Sequence, residues 1–327
     1  MKPLMDVDVR RWKSFLEGVS GDNIFQTPEM RDVFAGTKNY EPVVVAIEKD
    51  SEIRDLVLGC IIKEGEGLKG IFSSRAIVTG GPLSKEEDFK DILSVFDDAV
   101  RQKSLYSQIR NIRDMSAHRQ SFEVIGYSWE EHLNFVHDLT RPPEMIFAEF
   151  SQGRQKGIKK AEERGIRFIE GGKSDVMGLH RLVAATYREV GVPLADASLF
   201  ESAWRFLSPG EMVHIFNAVL NEELVASRII LSYRGILHDW YAGSTSSGRE
   251  HNANEFLVWS IMRWGSENGF RSFDFGGAGK PGERYGPGEF KRRFGGILTN
   301  FGRFQKTYHP MKHFVGRTGY EVVKKIR

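Results

Sequence analysis

The chain has 327 residues, of which 40% are hydrophobic and 28% charged, and its formal net charge is +2. This composition is typical of a folded globular protein and excludes a disordered or collagen-like chain, and the length suggests two domains. No apolar run approaches the roughly 18–20 residues that a membrane span needs, and the N-terminus lacks the apolar core of a signal peptide. The single cysteine, Cys60, excludes an intrachain disulfide and a cysteine-rich zinc site. We therefore expect a cytoplasmic protein without a membrane span.

The first half of the chain predicts a mixed α/β module. Runs of β-branched and aromatic residues predict strands at residues 42–48, 56–63, 71–79, 105–112 and 132–139. Apolar residues at helical spacing predict helices at 86–102 and 116–124.

The second half follows a linker candidate, Arg141-Pro142-Pro143, because two prolines disfavour helix before them and can start one after them. A helix is expected to end near Arg164, where Gly165 supplies a C-cap. The remaining predicted helices are residues 175–190, 198–207 and 254–267, and the predicted strands are 166–169, 212–220, 224–233, 236–242 and 272–275. Both halves thus show strands with tight turns, then a helix, then another strand, which predicts an α/β (α+β) fold of two tandem modules.

Charge and glycine both concentrate near the C-terminus. Residues 280–327 hold 12 Lys or Arg and three acids, a net of +9, and residues 276–302 hold nine of the 34 glycines. A glycine-rich loop after a strand, with cations beyond it, can cradle an anion, which favours a polyanionic partner or a phosphorylated substrate. The alternatives are a long surface loop and a solvated C-terminal helix. The spacing excludes a P-loop, because Pro281 follows Gly279-Lys280.

The motif order YAGS, helix, G-F-x-x-F-D-F-G-G and F-K-x-x-F-G-G, over residues 241–296, resembles the FemABX family of aminoacyl-tRNA-dependent peptidyltransferases. Those enzymes build peptidoglycan bridges on a tandem acetyltransferase-like (GNAT) fold. Residues 25–30, 138–140 and 154–165 extend the similarity. The resemblance implies two GNAT-like modules with a cleft between them, residues 1–141 and 142–310, and a C-terminal helix at 311–327 could complete the first.

The resemblance also implies an activity and its partners. It implies amide-bond formation, with aminoacyl-tRNA as the donor, a phosphorylated or cell-wall precursor as the acceptor, and no cofactor. His251 with Glu255 and His309 with His313 are each four residues apart, but no third ligand is apparent, so no metal site is expected.

Residue by residue, the resemblance places Lys291 at the transfer site, where a cation could stabilise an oxyanion or a phosphate. It places Tyr241 in the substrate cleft, and Gly276, Gly277 and Phe290 are the further substrate-binding candidates. The alternatives are that Lys291 is a solvated lysine and that Tyr241 is a core residue. Asp274 or Glu289 could take the proton of the acceptor amine, although an Asp before Gly-Gly could simply hydrogen-bond the turn.

The cations of the segment that begins at Arg154 suggest a second contact. Arg154, Lys159 and Lys160 could bind tRNA phosphates, and the alternative is an ordinary solvated helix face.

Two observations leave the function open. Residues 193–200 lack the Arg-x-x-x-Tyr with which family members hold a nucleotide-linked muropeptide, so the acceptor could be another amine. A GNAT N-acyltransferase that uses acyl-CoA is an alternative, but residues 248–253 lack the glycine pattern that binds the CoA pyrophosphate. A non-catalytic RNA-binding or partner-binding relative is the third hypothesis.

Overall fold

The computed structural model describes residues 2–65 and 67–314, and the chain divides into two compact units. Unit 1 comprises Met1–Glu131 and Phe301–Arg327, and unit 2 comprises His132–Asn300. The observed boundaries therefore lie about ten residues before the expected ones. The reason is that the strand expected at 132–139 pairs within the sheet of unit 2. Most of the expected C-terminal helix, from residue 315 on, lies outside the described residues.

Unit 1 is one mixed sheet with helices. Its strands are β1 (Lys2–Leu4), β2 (Tyr40–Lys49), β3 (Glu52–Ile62), β4 (Arg75–Thr79), β5 (Leu83–Ser84), β6 (Tyr106–Arg110), β7 (Ser128–Glu130) and β15 (Arg303–Thr307), and its helices are α1 (Val9–Gly18), α2 (Pro28–Ala35), α3 (Gly67–Ser73), α4 (Lys90–Val100) and α5 (Arg119–Val124). The prediction of a strand over 71–79 is wrong for its first residues, which form the end of α3, because a short apolar run does not distinguish helix from strand.

The sheet of unit 1 has the order β1-β2-β3-β4-β6-β15-β7, with β5 against β3. Only the β4–β6 pair is parallel among its described pairs, and the connection between the two strands contains α4. The apolar stripe of α4 is buried against β2 and β3, and Gly59 of β3 makes room for it, since a Cβ there would lie 2.5 Å from the Phe96 ring.

Strand β15 belongs to unit 1 although it lies near the end of the chain. It pairs antiparallel with β6 and β7. A buried network fixes it: Lys306 Nζ donates to Asp97 Oδ2 at 2.6 Å, and the hydroxyls of Tyr308 and Tyr127 donate to Asp97 Oδ1. Each polar group is thus satisfied inside the unit, which fixes the register of this strand.

Unit 2 repeats this architecture. Its strands are β8 (Leu133–Asp138), β9 (Arg167–Gly171), β10 (Val213–Leu220), β11 (Glu223–Tyr233), β12 (Ile236–Ser244), β13 (Ser272–Gly277) and β14 (Ile297–Asn300), and its helices are α6 (Pro143–Ala148), α7 (Gln152–Glu163), α8 (Val176–Glu189), α9 (Ala197–Leu207), α10 (Ser246–Glu250), α11 (Ala253–Glu267) and α12 (Gly286–Arg292). The sheet order is β14-β8-β13-β12-β11-β10-β9, and the β12–β13 pair is parallel, with α11 in the connection.

The two sheets correspond strand by strand. Each has four antiparallel strands, then a strand parallel to the fourth, then a sixth strand, then an edge strand. In each sheet the sixth strand, β15 or β8, comes from a distant part of the chain, which explains the observed unit boundaries. Within the described residues, no helix combines the length and the apolar character that a membrane crossing requires.

Candidate functional site

The parallel strands of unit 2 separate at their C-terminal ends. Strand β12 has nine residues and β13 has six, but their parallel pairing covers only Ile236–His238 of β12 and the three residues from Ser272 to Asp274 of β13. Next to this point β12 has a bulge, because Asp239 and Tyr241 face consecutive residues of β11 and leave Trp240 unmatched. We call the space between residues 239–244 and 275–277 the strand opening.

Lys291 of α12 extends into the strand opening. Its Nζ donates to the carbonyl oxygens of Phe275 and Gly277, the latter at 2.9 Å, and lies 5.2 Å from the centre of the Phe275 ring. Burial lowers the pKa of the half-buried Lys291 ammonium to about 8, while Asp239 opposes this effect and Arg228 adds to it. The ammonium is thus held at backbone carbonyls that a neighbouring strand would otherwise engage.

Arg154 of α7 packs against α12 in the interior of unit 2. Its side chain is only 6% exposed, and its guanidinium lies 4.6 and 4.5 Å from the rings of Phe290 and Phe294. It pairs with Glu255 at 2.6 Å and donates to the Phe290 carbonyl at 3.3 Å. The structure therefore separates Arg154 from Lys159 and Lys160, which lie exposed on the same helix. Arg154 is an interior support of the site and does not form a surface contact with them.

The glycines of the site make room for close approaches. Gly276 has φ +74°, and a Cβ there would lie 3.5 Å from Lys291 Nζ and 3.6 Å from the Asp239 carbonyl oxygen. A Cβ on Gly277 would lie 2.6 Å from His132 Nε2, and one on Gly288 would lie 2.4 Å from the Ala278 carbonyl oxygen. A side chain at Gly276 would enter the strand opening, one at Gly277 would displace His132, and one at Gly288 would displace α12.

Asp274 is engaged by its neighbours. Its Oδ1 accepts from Asn134 Nδ2 at 2.7 Å and from the Gly276 amide at 2.8 Å, and His238 Nδ1 lies 3.4 Å from Oδ2. These contacts fit a carboxylate that shapes the glycine turn rather than one that takes a proton. Glu289 is exposed on α12, 3.6 Å from Arg292.

An aromatic wall borders the site. The ring of Tyr241 lies 5.0 Å from Phe200, 5.1 Å from Trp240 and 6.0 Å from Tyr187. Burial raises the pKa of Tyr187, and the nearby Tyr241, Tyr285 and Asp239 add to the effect. Tyr241, which the sequence indicated, is half-buried in this wall.

The sequence analysis missed three residues of the site: Tyr187, Arg228 and Asp239. Arg228 and Asp239 form a buried ion pair between β11 and β12. A signal was present for Arg228, because it interrupts the apolar run from Val225 to Leu231, and a charge in a buried strand needs a partner.

A cavity of about 590 Å³ lies in unit 1. Lys63, Lys103 and Lys312 contribute to its lining, and Lys103 is paired with Glu41 at 2.6 Å. None of the residues that the sequence assigned to the site lines this cavity. The candidate site therefore stays in unit 2, at the strand opening.

One family model matches part of the chain. Residues 150–292 match the family described as acetyltransferase (GNAT) domain, and these residues include the strand opening and Lys291. No curated protein matches the sequence. The family match and the fold support an acyltransferase of the GNAT type.

Solved structures share the fold at low sequence identity. The structure of FemX has a TM-score of 0.72 at 13% identity, over 97% of this chain and 100% of that one. L-PGS from Bacillus licheniformis has a TM-score of 0.59 at 16% identity, covering 95% and 96%. A tandem GNAT protein from the clavulanic acid biosynthesis pathway has 0.59 at 10%, covering 94% and 97%. The fold class predicted from the sequence is thus confirmed: the chain has a tandem GNAT fold, which it shares with FemX.

Proposed function

We propose that the chain transfers an aminoacyl group from tRNA to a primary amine and forms an amide bond. The observation that carries the proposal is Lys291 in the strand opening. Two of its three N–H donors engage carbonyls of β13, and within the described residues the third has no acceptor. An ammonium held in this way is preorganised to meet negative charge on a ligand oxygen.

The reaction needs little acid–base machinery, because the ester of an aminoacyl-tRNA is already activated. The amine nitrogen attacks the ester carbonyl carbon, the C–N bond forms and the ester C–O bond breaks. The ribose oxygen leaves with a proton from the attacking nitrogen. Lys291 stabilises the negative charge that develops on the carbonyl oxygen, and the aromatic wall with Tyr241 orients the reactants.

Two features favour tRNA over acyl-CoA as the donor. The N-terminus of α11, where a GNAT enzyme would bind the pyrophosphate, begins with the buried Ala253 and has Glu255 in its first turn. The Glu255 carboxylate, which Arg154 holds in place, already occupies the positive end of this helix, so the position offers little to a second anion. Lys159 and Lys160 are exposed on α7 and are available for salt-dependent contacts with the tRNA backbone.

The acceptor that we propose is a cell-wall precursor or another phosphorylated compound with a free primary amine, encountered in the cytoplasm. The fold likeness to FemX supports a cell-wall role. Residues 193–200 carry no Arg-x-x-x-Tyr, so we assign no phosphate contact to them.

The test supplies two donors to the purified chain, total radiolabelled aminoacyl-tRNA and acetyl-CoA. Each is combined with a nucleotide-linked muropeptide and with a free stem peptide, and products are identified by mass spectrometry. We expect an aminoacyl amide from tRNA only, lost in Lys291→Ala and retained in the exposed neighbour variant Arg292→Ala.

Product from acetyl-CoA alone would establish the acyl-CoA alternative. If neither donor gives a product although the chain still binds tRNA, the result would favour a non-catalytic RNA-binding protein.

A further inference from the structure

Unit 2 buries a charged pair that the proposed reaction does not use directly. The side chains of Arg228 and Asp239 are 3% and 7% exposed, and Arg228 Nη1 pairs with Asp239 Oδ2. Arg228 Nη2 also donates to Asn254 Oδ1 at 2.9 Å. Asp239 Oδ1, by contrast, is buried and has no hydrogen-bond partner within the described residues. A buried pair with one unsatisfied oxygen is weak evidence for stability and needs another explanation.

The pair lies beside the Lys291 ammonium. Arg228 Cζ and Lys291 Nζ lie 5.7 and 5.2 Å from the centre of the same ring, that of Phe275. A Cβ on Gly276 would touch both Lys291 Nζ and the Asp239 carbonyl oxygen. Arg228 of β11 and the backbone of Asp239 of β12 therefore lie in the surroundings of the ammonium, and both charges act on it electrostatically.

Other charged groups lie on the remaining elements of the site. Asp274 of β13, whose carboxylate accepts from Asn134 and Gly276, also raises the pKa of Lys291, and Arg154 of α7 is paired with Glu255. On α12 itself, the exposed Glu289 and Arg292 face each other at 3.6 Å. In contrast to the Asp274 carboxylate, that of Asp239 keeps one buried oxygen that has no hydrogen-bond partner within the described residues.

We propose that Arg228 and Asp239 are positioning residues for Lys291, with Asp239 attracting its ammonium toward the β12 side of the strand opening and Arg228 limiting that attraction. This inference rests on the proposed function, in which Lys291 must be charged and correctly placed. The signs of the electrostatic effects agree with it, because Asp239 raises the pKa of Lys291 and Arg228 lowers it. Removing one charge should therefore change Lys291 in one direction and removing the other in the opposite direction.

The test measures the protonation of Lys291 without an activity assay. Competitive labelling with acetic anhydride, with the modified peptide quantified by mass spectrometry, gives the titration midpoint of this lysine. We expect a wild-type midpoint of about 8, a fall of about one pH unit in Asp239→Asn and a rise of about one unit in Arg228→Gln. The double variant should return toward the wild-type value, and Asp239→Glu should stay near it.

The control is Glu222→Gln, which removes a carboxylate from the exposed pair with Arg167 in the same unit and should leave the midpoint unchanged. General loosening of unit 2 would move both single variants in the same direction. A shift of the same sign in both, or no shift in a folded variant, overturns the proposal. If only one of the single variants folds, a fall of the midpoint in Asp239→Asn or a rise in Arg228→Gln supports the proposal. A shift of the opposite sign overturns it.

The outcome is separable from that of the proposed function. Opposite shifts in a chain that transfers no aminoacyl group would support the positioning pair and contradict the proposed reaction. In an active chain, we expect both single variants to lower kcat for the aminoacyl-tRNA reaction more than they change KM for tRNA, and to move the alkaline limb of the rate profile with the midpoint.

Discussion

The parallel strand pairs of the two units differ at their C-terminal ends. In unit 1, β4 and β6 remain paired up to Thr79 and Arg110, and the Gly80 amide extends the contact by donating to the Arg110 carbonyl at 2.9 Å. In unit 2, the pairing of β12 and β13 stops at His238 and Asp274. The same fold is therefore closed at this point in one unit and open in the other.

Side chains reinforce the closure of unit 1. The amide of the fully buried Gln26 donates to the carbonyls of Leu58 and Thr79 and accepts from the Leu58 amide, which joins β3 to the end of β4. Asn23 adds a bond of 2.7 Å to the Gly80 carbonyl. Gln26 belongs to the family-like segment 25–30, and its contacts show that this segment serves the architecture of unit 1. In a repeated fold, the candidate chemistry lies where the backbone pairing is incomplete.

The largest expected effect concerns Lys291, at the open end of the β12–β13 pair. Lys291→Ala should reduce turnover by about 10²–10³-fold, or about 3–4 kcal/mol of transition-state stabilisation, because the charge on the carbonyl oxygen loses its partner. The melting temperature should change little, since Lys291 bonds only to carbonyls at the edge of the opening. Lys291→Arg should restore little activity, because a planar guanidinium does not replace a point charge. A wild-type rate for Lys291→Ala on the true substrate would remove Lys291 from the mechanism.

Gln26→Ala tests the closed end of the β4–β6 pair in unit 1. The substitution leaves the Leu58 amide and two carbonyls without partners inside unit 1, and we expect a loss of about 3 kcal/mol in the free energy of unfolding. Urea denaturation of the whole chain, followed through the unfolding of unit 1, measures the loss. The matched control is Gln120→Ala, at an exposed position of the same unit. The transfer rate per folded molecule should not change. Equal stability of Gln26→Ala and Gln120→Ala would contradict the closure.

Gly276→Ala tests the space in the strand opening. The left-handed φ of +74° makes alanine unfavourable by about 1–2 kcal/mol, and the new methyl group would contact Lys291 Nζ. We expect a rate about tenfold lower, equivalent to about 1.4 kcal/mol, with only modest destabilisation. The control Gly153→Ala lies in open space on α7 and should be neutral or stabilising. An unchanged rate in Gly276→Ala would show that the opening is not the reaction site.

The smallest effect concerns the sixth strands. In unit 1, Lys306 of β15 and Tyr308, which follows this strand, have hydrogen-bond partners. In unit 2, His137 of β8 is 2% exposed, and neither of its ring nitrogens has a partner within the described residues. Burial lowers the pKa of His137 from 6.5 to about 4. The unfolded chain therefore binds more protons between these pH values, and stability falls as the pH decreases from about 6.5 to about 4.

His137→Leu should raise the free energy of unfolding by about 1 kcal/mol at pH 7 and by more at pH 5, because it removes a buried group that lacks partners. Denaturation at both pH values measures the change. His309→Leu is the control, because His309 of unit 1 is only half-buried and its Nε2 has a partner, the Arg101 carbonyl oxygen at 2.9 Å. A parallel pH dependence in His137→Leu and wild type would show that His137 is not the titrating group.

Local patterns in the sequence determined the types of most elements. The apolar spacing of residues 86–102 and 254–267 predicted α4 and α11 within a few residues, since one face of each helix must be buried. The glycines after Phe275 and the Phe-Lys-x-x-Phe pattern also indicated the region in which Lys291 lies, because such positions restrict the backbone and side chains locally.

Tertiary structure alone decided the rest. No local pattern specifies that β8 pairs with β13 or that β15 pairs with β6, because strand pairing over a large sequence separation depends on the whole sheet. The burial of Arg154 was equally invisible, since its partner Glu255 is about a hundred residues away. The end of the β12–β13 pairing likewise depends on a bulge and a neighbouring helix. Long-range packing, rather than propensity, placed the charges around Lys291.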